Sequence, residues 1–182
     1  MMKGLLIVHH DNEDLEVVGS RDLLIRGGFE MTMATFEDTL DIELAYGTKI
    51  KADIFVKGIT LKDYDFVVIP GGKFVNNAVD DDREIKALVK EFYNQGKLVA
   101  AICAGPRFLG QAGLLDNKRF TAFTGTQSDM PKGYYHPDEK TVVDKNIITS
   151  RGAGTVHSFA YEITKYLKSE HHAKALLDSI LY

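Results

Sequence analysis

The stretch Leu98-Val99-Ala100-Ala101-Ile102-Cys103-Ala104-Gly105-Pro106 decides how this chain is read. Five apolar residues in succession suit a strand buried on both faces, as in a parallel sheet covered by helices. Gly105-Pro106 ends the run and opens a helix, so Cys103 stands at a strand-to-helix elbow. An elbow exposes its apex residue near the positive end of the following helix, which favours the thiolate over the thiol. The competing reading is a small buried hydrophobe, which is what most unpaired cysteines are.

The same alternation runs outward in both directions. Gly4 to His9 reads as a buried first strand, Asp14 to Arg26 as a helix stopped by Gly27-Gly28, and Phe29 to Ala34 as a second strand. Asp41 to Lys57 reads as extended segments around a turn at Tyr46-Gly47, and Asp65 to Ile69 as a buried strand ending in Pro70-Gly71-Gly72. Ile85, Leu88, Val89 and Phe92 mark one face of a helix over Asp81 to Asn94, with Gly96 beyond its end. A short helix over Arg107 to Ala112 follows the elbow, and Asn146 to Thr149 is another strand. Val156, Phe159, Ala160, Ile163 and Leu167 mark a further helix, and Ala173, Leu176, Leu177 and Ile180 a last one. With no linker in 182 residues, this predicts one α/β domain, a mostly parallel sheet with helices on both faces.

Bulk properties narrow the function. The composition is 45% hydrophobic and 26% charged, as in ordinary globular domains, and the net charge of -4 without a basic tract gives no support for nucleic acid or anionic membrane as partner. No apolar run is long enough to span a membrane or to form a signal-peptide core, and one cysteine makes no internal disulfide, so a cytoplasmic location is expected.

Ligands of open α/β sheets bind at the carboxyl ends of strands. Three segments fall there: His9-His10-Asp11, Pro70-Gly71-Gly72 and Cys103. Gly71-Gly72 is either a tight turn or a source of bare amides for an oxyanion hole. It lacks the spacing of a phosphate loop, and no Walker lysine or dinucleotide fingerprint is present, so no cofactor is expected. Glu16, one turn into the first helix between Leu15 and Val17-Val18, is either a solvated helix-start carboxylate or an inward-facing one. Burial keeps an inward carboxyl protonated, able to donate a hydrogen bond to a thiolate. No histidine lies between His10 and His136, and no His, Cys or carboxylate spacing suggests a metal.

Taken together, four motifs resemble the DJ-1/PfpI superfamily, the Parkinson-protein-like relatives of the class I glutamine amidotransferase fold. They are Leu15-Glu16, Val67-Val68-Ile69-Pro70-Gly71-Gly72, Ala100-Ala101-Ile102-Cys103-Ala104-Gly105-Pro106 and Ile148-Thr149-Ser150-Arg151-Gly152-Ala153-Gly154-Thr155, in the family's order across nearly the whole chain. The resemblance implies a flavodoxin-like three-layer sandwich and a homodimer. It carries over Cys103 as nucleophile or redox-sensitive thiol, and Glu16 as its protonated partner. Gly72, its neighbour Gly71 and the amide of Ala104 would form the anion pocket. Ser150, Arg151, Gly154 and Thr155 would support the elbow, and Arg26 is a candidate dimer contact.

Two departures matter. Protease-like members place a histidine directly after the cysteine, where this chain has Ala104, which argues against proteolysis. Parkinson-protein-like members carry a histidine in the strand after the elbow helix, where Phe123 is the nearest match. Substitute bases would be His9, His10 or His157. The expected function is a role in oxidative or carbonyl stress: weak glyoxalase or deglycase chemistry on a small aldehyde, with Cys103 adding to the carbonyl and Glu16 moving the proton. The alternative is a non-enzymatic protein whose Cys103 is taken by an oxidant to the sulfinate. An amidase-type hydrolase ranks behind both.

Overall fold

A computed structural model describes residues 1–182. In chain order the elements are β1 (Lys3–Ile7), α1 (Asp14–Arg26), β2 (Glu30–Thr35), β3 (Asp41–Glu43), β4 (Lys49–Lys51), β5 (Ile54–Phe55), β6 (Phe66–Ile69), α2 (Lys73–Ala78) and α3 (Glu84–Asn94). They continue with β7 (Leu98–Ile102), α4 (Pro106–Gln111), β8 (Arg119–Phe120), β9 (Tyr134–Tyr135), β10 (Thr141–Asp144), β11 (Ile147–Ser150), α5 (Val156–Leu167) and α6 (Glu170–Ser179). The main sheet has seven strands in the order β10-β11-β7-β6-β1-β2-β5, and only the β10–β11 pair is antiparallel.

The alternation of side chains along each strand builds two cores. Leu5, Ile7, Val67, Ile69, Val99 and Ala101 point to the face covered by α3 and α4. Leu6, Val8, Val68, Ala100 and Ile102 point to the face covered by α1 and α5. Every position of β6 and β7 is therefore buried, which is why those strands read as unbroken apolar runs. The result is the flavodoxin-like three-layer sandwich.

Differences from the sequence expectation are local. Helix α3 begins at Glu84 rather than Asp81, because the Asp82 side chain accepts the amide of Ile85 at 2.9 Å and so serves as a cap outside the helix. The segment after Gly71-Gly72, unassigned from the sequence, is a six-residue helix, α2. The 41–57 region divides, with β3 and β4 forming a separate hairpin while β5 joins the main sheet. Strand β10 closes the far edge.

The strand order places the site. Strands β1, β6 and β7 are immediate neighbours and run parallel, so their carboxyl ends open on the same edge. Asn12 joins two of these ends: its Oδ1 accepts the amide of His9 at 2.6 Å, and its Nδ2 donates to the Gly71 carbonyl at 2.8 Å.

Candidate active site

Cys103 occupies the elbow between β7 and α4 with φ of 63°, a left-handed conformation that side-chain-bearing residues avoid. Two hydrogen bonds hold it there. Its amide donates to the Ser150 carbonyl at 2.9 Å, and its carbonyl accepts from the Phe123 amide at 2.8 Å. Behind the elbow, Ser150 Oγ lies 2.7 Å from Thr155 Oγ1 and 2.9 Å from Thr141 Oγ1, a buried hydroxyl cluster tying β11 to the start of α5. Arg151 and Gly154 point elsewhere: the Arg151 guanidinium donates to the Pro137 carbonyl at 2.9 Å, and Gly154 borders open space.

Glu16 is fully buried on α1. The helix starts with an acidic turn, and the Glu13 side chain caps it by accepting the Glu16 amide at 2.7 Å. This fixes the rotation of the first turn, so that Leu15 and Val18 face out and Glu16 faces the sheet. Glu16 Oε2 accepts the Gly71 amide at 2.8 Å, while Oε1 has no well-formed partner and the carboxyl interacts with the Cys103 thiol. Burial pushes this carboxyl up to about 7 from its ordinary 4.5, against the opposing pull of Cys103 and the Gly71 amide.

The geometry corrects two site expectations. Gly71 belongs to the Glu16 side of the site, since its amide is used by the carboxylate and is not available to a bound anion. Glycine is needed there for closeness: a Cβ would meet Cys103 Cβ at 2.7 Å and the Ala104 nitrogen at 2.8 Å. The amides that reach the sulfur are those of Ala104 and Gly72, and Gly72 has φ of 101°. The second correction concerns acidity. Burial, then the charge of Glu16, push the thiol above its ordinary value, outweighing the two amides. When Glu16 carries a proton that repulsion vanishes, so thiol and carboxyl titrate as one pair.

A cavity of about 530 Å³ opens over the sulfur. Its lining includes Cys103, Glu16, Gly72, Ala104 and Phe123, together with Tyr46, Lys73 and Asn76, which the sequence did not single out. No histidine lines it. His9 is buried with its ring stacked on Phe74 at 4.1 Å and its Nδ1 3.0 Å from Glu37; His10 Nδ1 accepts the Glu43 amide at 3.1 Å; His157 stacks on Tyr182 at 4.6 Å. None of the three substitutes for the missing imidazole. Arg26 also lies apart from the cavity, its Nε donating to Asp22 of its own helix at 3.0 Å. No cluster of three or more metal-binding side chains is present, and no helix is long and apolar enough to cross a membrane.

Comparison with known proteins agrees with this architecture. The chain is 34% identical to Protein DJ-1alpha of Drosophila melanogaster over 181 residues, covering 98% of this chain and 83% of that one. It is 31% identical to the glutathione-independent glyoxalase DJR-1.2 of Caenorhabditis elegans over 173 residues, covering 95% and 92%. The oxidized DJ-1 of Toxoplasma gondii superposes with a TM-score of 0.91 at 31% identity, covering 100% and 99%. With residues 2–166 matching the DJ-1/PfpI family profile and the elbow cysteine in place, the chain belongs to the DJ-1/PfpI family.

Proposed function

We propose that this protein converts small 2-oxoaldehydes to 2-hydroxy acids without an external thiol, using Cys103 as nucleophile and Glu16 as the proton carrier. The observation that carries the reading is the buried carboxyl set against the thiol, with a pKa of about 7, in a cavity that contains no imidazole. The relative named as a glutathione-independent glyoxalase supports it.

With one proton on the pair, the proton rests on sulfur, and its transfer to Glu16 gives the reactive form, thiolate and carboxylic acid. The sulfur adds to the aldehyde carbon, the carbonyl pair moves to oxygen, and Glu16 supplies the proton that completes a hemithioacetal. The resulting carboxylate removes the hydrogen from that carbon and returns it to the neighbouring one, while the hydroxyl proton moves across, leaving a thioester. Water hydrolyses the thioester and restores the thiol. Methylglyoxal plus water thus gives lactate, with oxidation at one carbon balanced by reduction at the next. In this reading the amides of Ala104 and Gly72, which face the sulfur, serve as the donors to the developing oxyanion.

Purified protein incubated with methylglyoxal and no glutathione is expected to form lactate. Alkylating Cys103, with stoichiometry checked by mass spectrometry, is expected to stop it. Lactate formation that continues at the same rate after complete alkylation would overturn the reading.

A second reading draws on the partnerless Glu16 Oε1. A protonated Glu16 could donate to a sulfinate oxygen, with the same two amides holding the other, so that two equivalents of peroxide take the thiolate through the sulfenate to a stable sulfinate. Mild peroxide is then expected to add two oxygens to the peptide carrying Cys103. An unmodified or fully over-oxidised cysteine would exclude it.

A further inference from the structure

Two residues of α2 face the same cavity as the thiol. Lys73 and Asn76 are three apart, so they share a helix face, and both line the space over Cys103. The Lys73 ammonium has no carboxylate partner; its neighbour is the Tyr46 ring, 5.6 Å away at the centroid. Asn76 is held in one orientation. Its Oδ1 accepts from Arg107 Nη1 at 2.7 Å, and Arg107 is itself anchored by Asp129 through Nε. With Arg107 on its oxygen, Asn76 keeps both N–H donors to offer to a ligand in the cavity. Two carboxyl groups also line the cavity: Glu13, which caps α1 through one oxygen, and Glu16, which is turned to the Gly71 amide and the thiol. An ammonium and an amide donor thus stand on one wall, with the two sulfur-facing amides at the floor.

We infer that Lys73 and Asn76 form a carboxylate-recognising subsite, and that the preferred carbonyls of this site are 2-oxoaldehydes carrying a terminal carboxylate. Lys73 supplies the charge, Asn76 a directed hydrogen bond, and Arg107 acts as a positioning residue through Asn76. This rests on the carbonyl reading of Cys103 and adds the substrate class. In the reaction of 4,5-dioxopentanoate with water, the aldehyde carbon is oxidised to a carboxylate and the adjacent ketone reduced to an alcohol. The product is 2-hydroxyglutarate, and no external oxidant or reductant enters.

The test compares kcat/KM of the wild-type protein for 4,5-dioxopentanoate, its methyl ester and methylglyoxal. The acid is expected to exceed its ester by about tenfold, the order expected of a partly exposed charge-assisted contact. In Lys73→Ala that acid-to-ester ratio is expected to fall to about one, mainly through KM, and in Lys73→Arg to be largely retained. An ester as good as the acid, or a Lys73→Ala variant that slows both substrates alike, overturns the subsite. Binding of levulinate, which has the carboxylate but no aldehyde, separates the two readings when followed by NMR. If no aldehyde turns over yet levulinate shifts the Lys73 and Asn76 resonances, the carbonyl chemistry fails and the subsite stands. If levulinate leaves them unmoved, the subsite fails.

Discussion

Cys103→Ala is expected to reduce lactate formation from methylglyoxal to the uncatalysed background. The sulfur is the one strong nucleophile among the residues lining the cavity, and neither Glu16 nor a nearby hydroxyl can form the hemithioacetal on which the proton transfers depend. The fold should survive the change. Alanine keeps the Cβ that cysteine already carries at φ of 63°, so the backbone strain at the elbow is the same before and after. The bonds to Ser150 and Phe123 are made by main-chain atoms and do not need the thiol. Circular dichroism and thermal unfolding alongside the lactate assay would check both halves. Residual turnover well above background would mean that the chemistry lies elsewhere.

Glu16→Gln is expected to lower turnover by about a hundredfold or more, the usual scale for losing a positioned proton carrier. Two further readouts separate this from a packing defect. Because the carboxylate raises the thiol's pKa, its removal should make Cys103 easier to ionise, so alkylation by iodoacetamide speeds up while catalysis falls. Stability responds to pH as well. The folded carboxyl holds its proton up to about 7, whereas an unfolded one releases it near 4.5. Between those values the folded state binds more protons, so the group's contribution is fully present below 4.5 and is lost as pH rises through about 7. At about 1.4 kcal/mol per tenfold, the loss is of the order of 3 kcal/mol. Gln has no such dependence, so the urea midpoints of wild type and Glu16→Gln should run parallel below pH 4.5, move apart in favour of Gln between 4.5 and about 7, and hold a constant gap above that. Curves parallel over the whole range would contradict this.

The core of the fold was legible because both faces of the sheet are covered. The apolar runs of β1, β6 and β7 have no other use, and Gly27-Gly28 and Gly96 punctuate the helices. Edge and short elements were less visible. In β10, Thr141-Val142-Val143-Asp144 is only partly buried and pairs along one side, and α2 is six residues long behind a glycine pair that reads as a turn. At the site, Gly72, Cys103 and Ala104 are brought together by the neighbouring ends of β6 and β7, and Glu16 reaches them from the first turn of α1. The acidity of the thiol was misjudged because desolvation is a property of the assembled layers, which no local segment reveals. Lys73 carried one available signal, a cation directly after Gly71-Gly72; Asn76 became meaningful only once Arg107 was seen to fix its amide.

The clamp on the elbow ties the chemistry to the integrity of the sheet. Cys103 keeps its unfavourable backbone angle because β11 and the segment at Phe123 grip it from both sides. Should either grip loosen in a local opening, the residue relaxes to ordinary backbone geometry and parts from Glu16 and the amides. The thiol then behaves like any solvated cysteine, unguided in what it attacks and unprotected from over-oxidation. Damage at the sheet's far edge, remote from the cavity, would therefore register first as lost selectivity of a single sulfur atom.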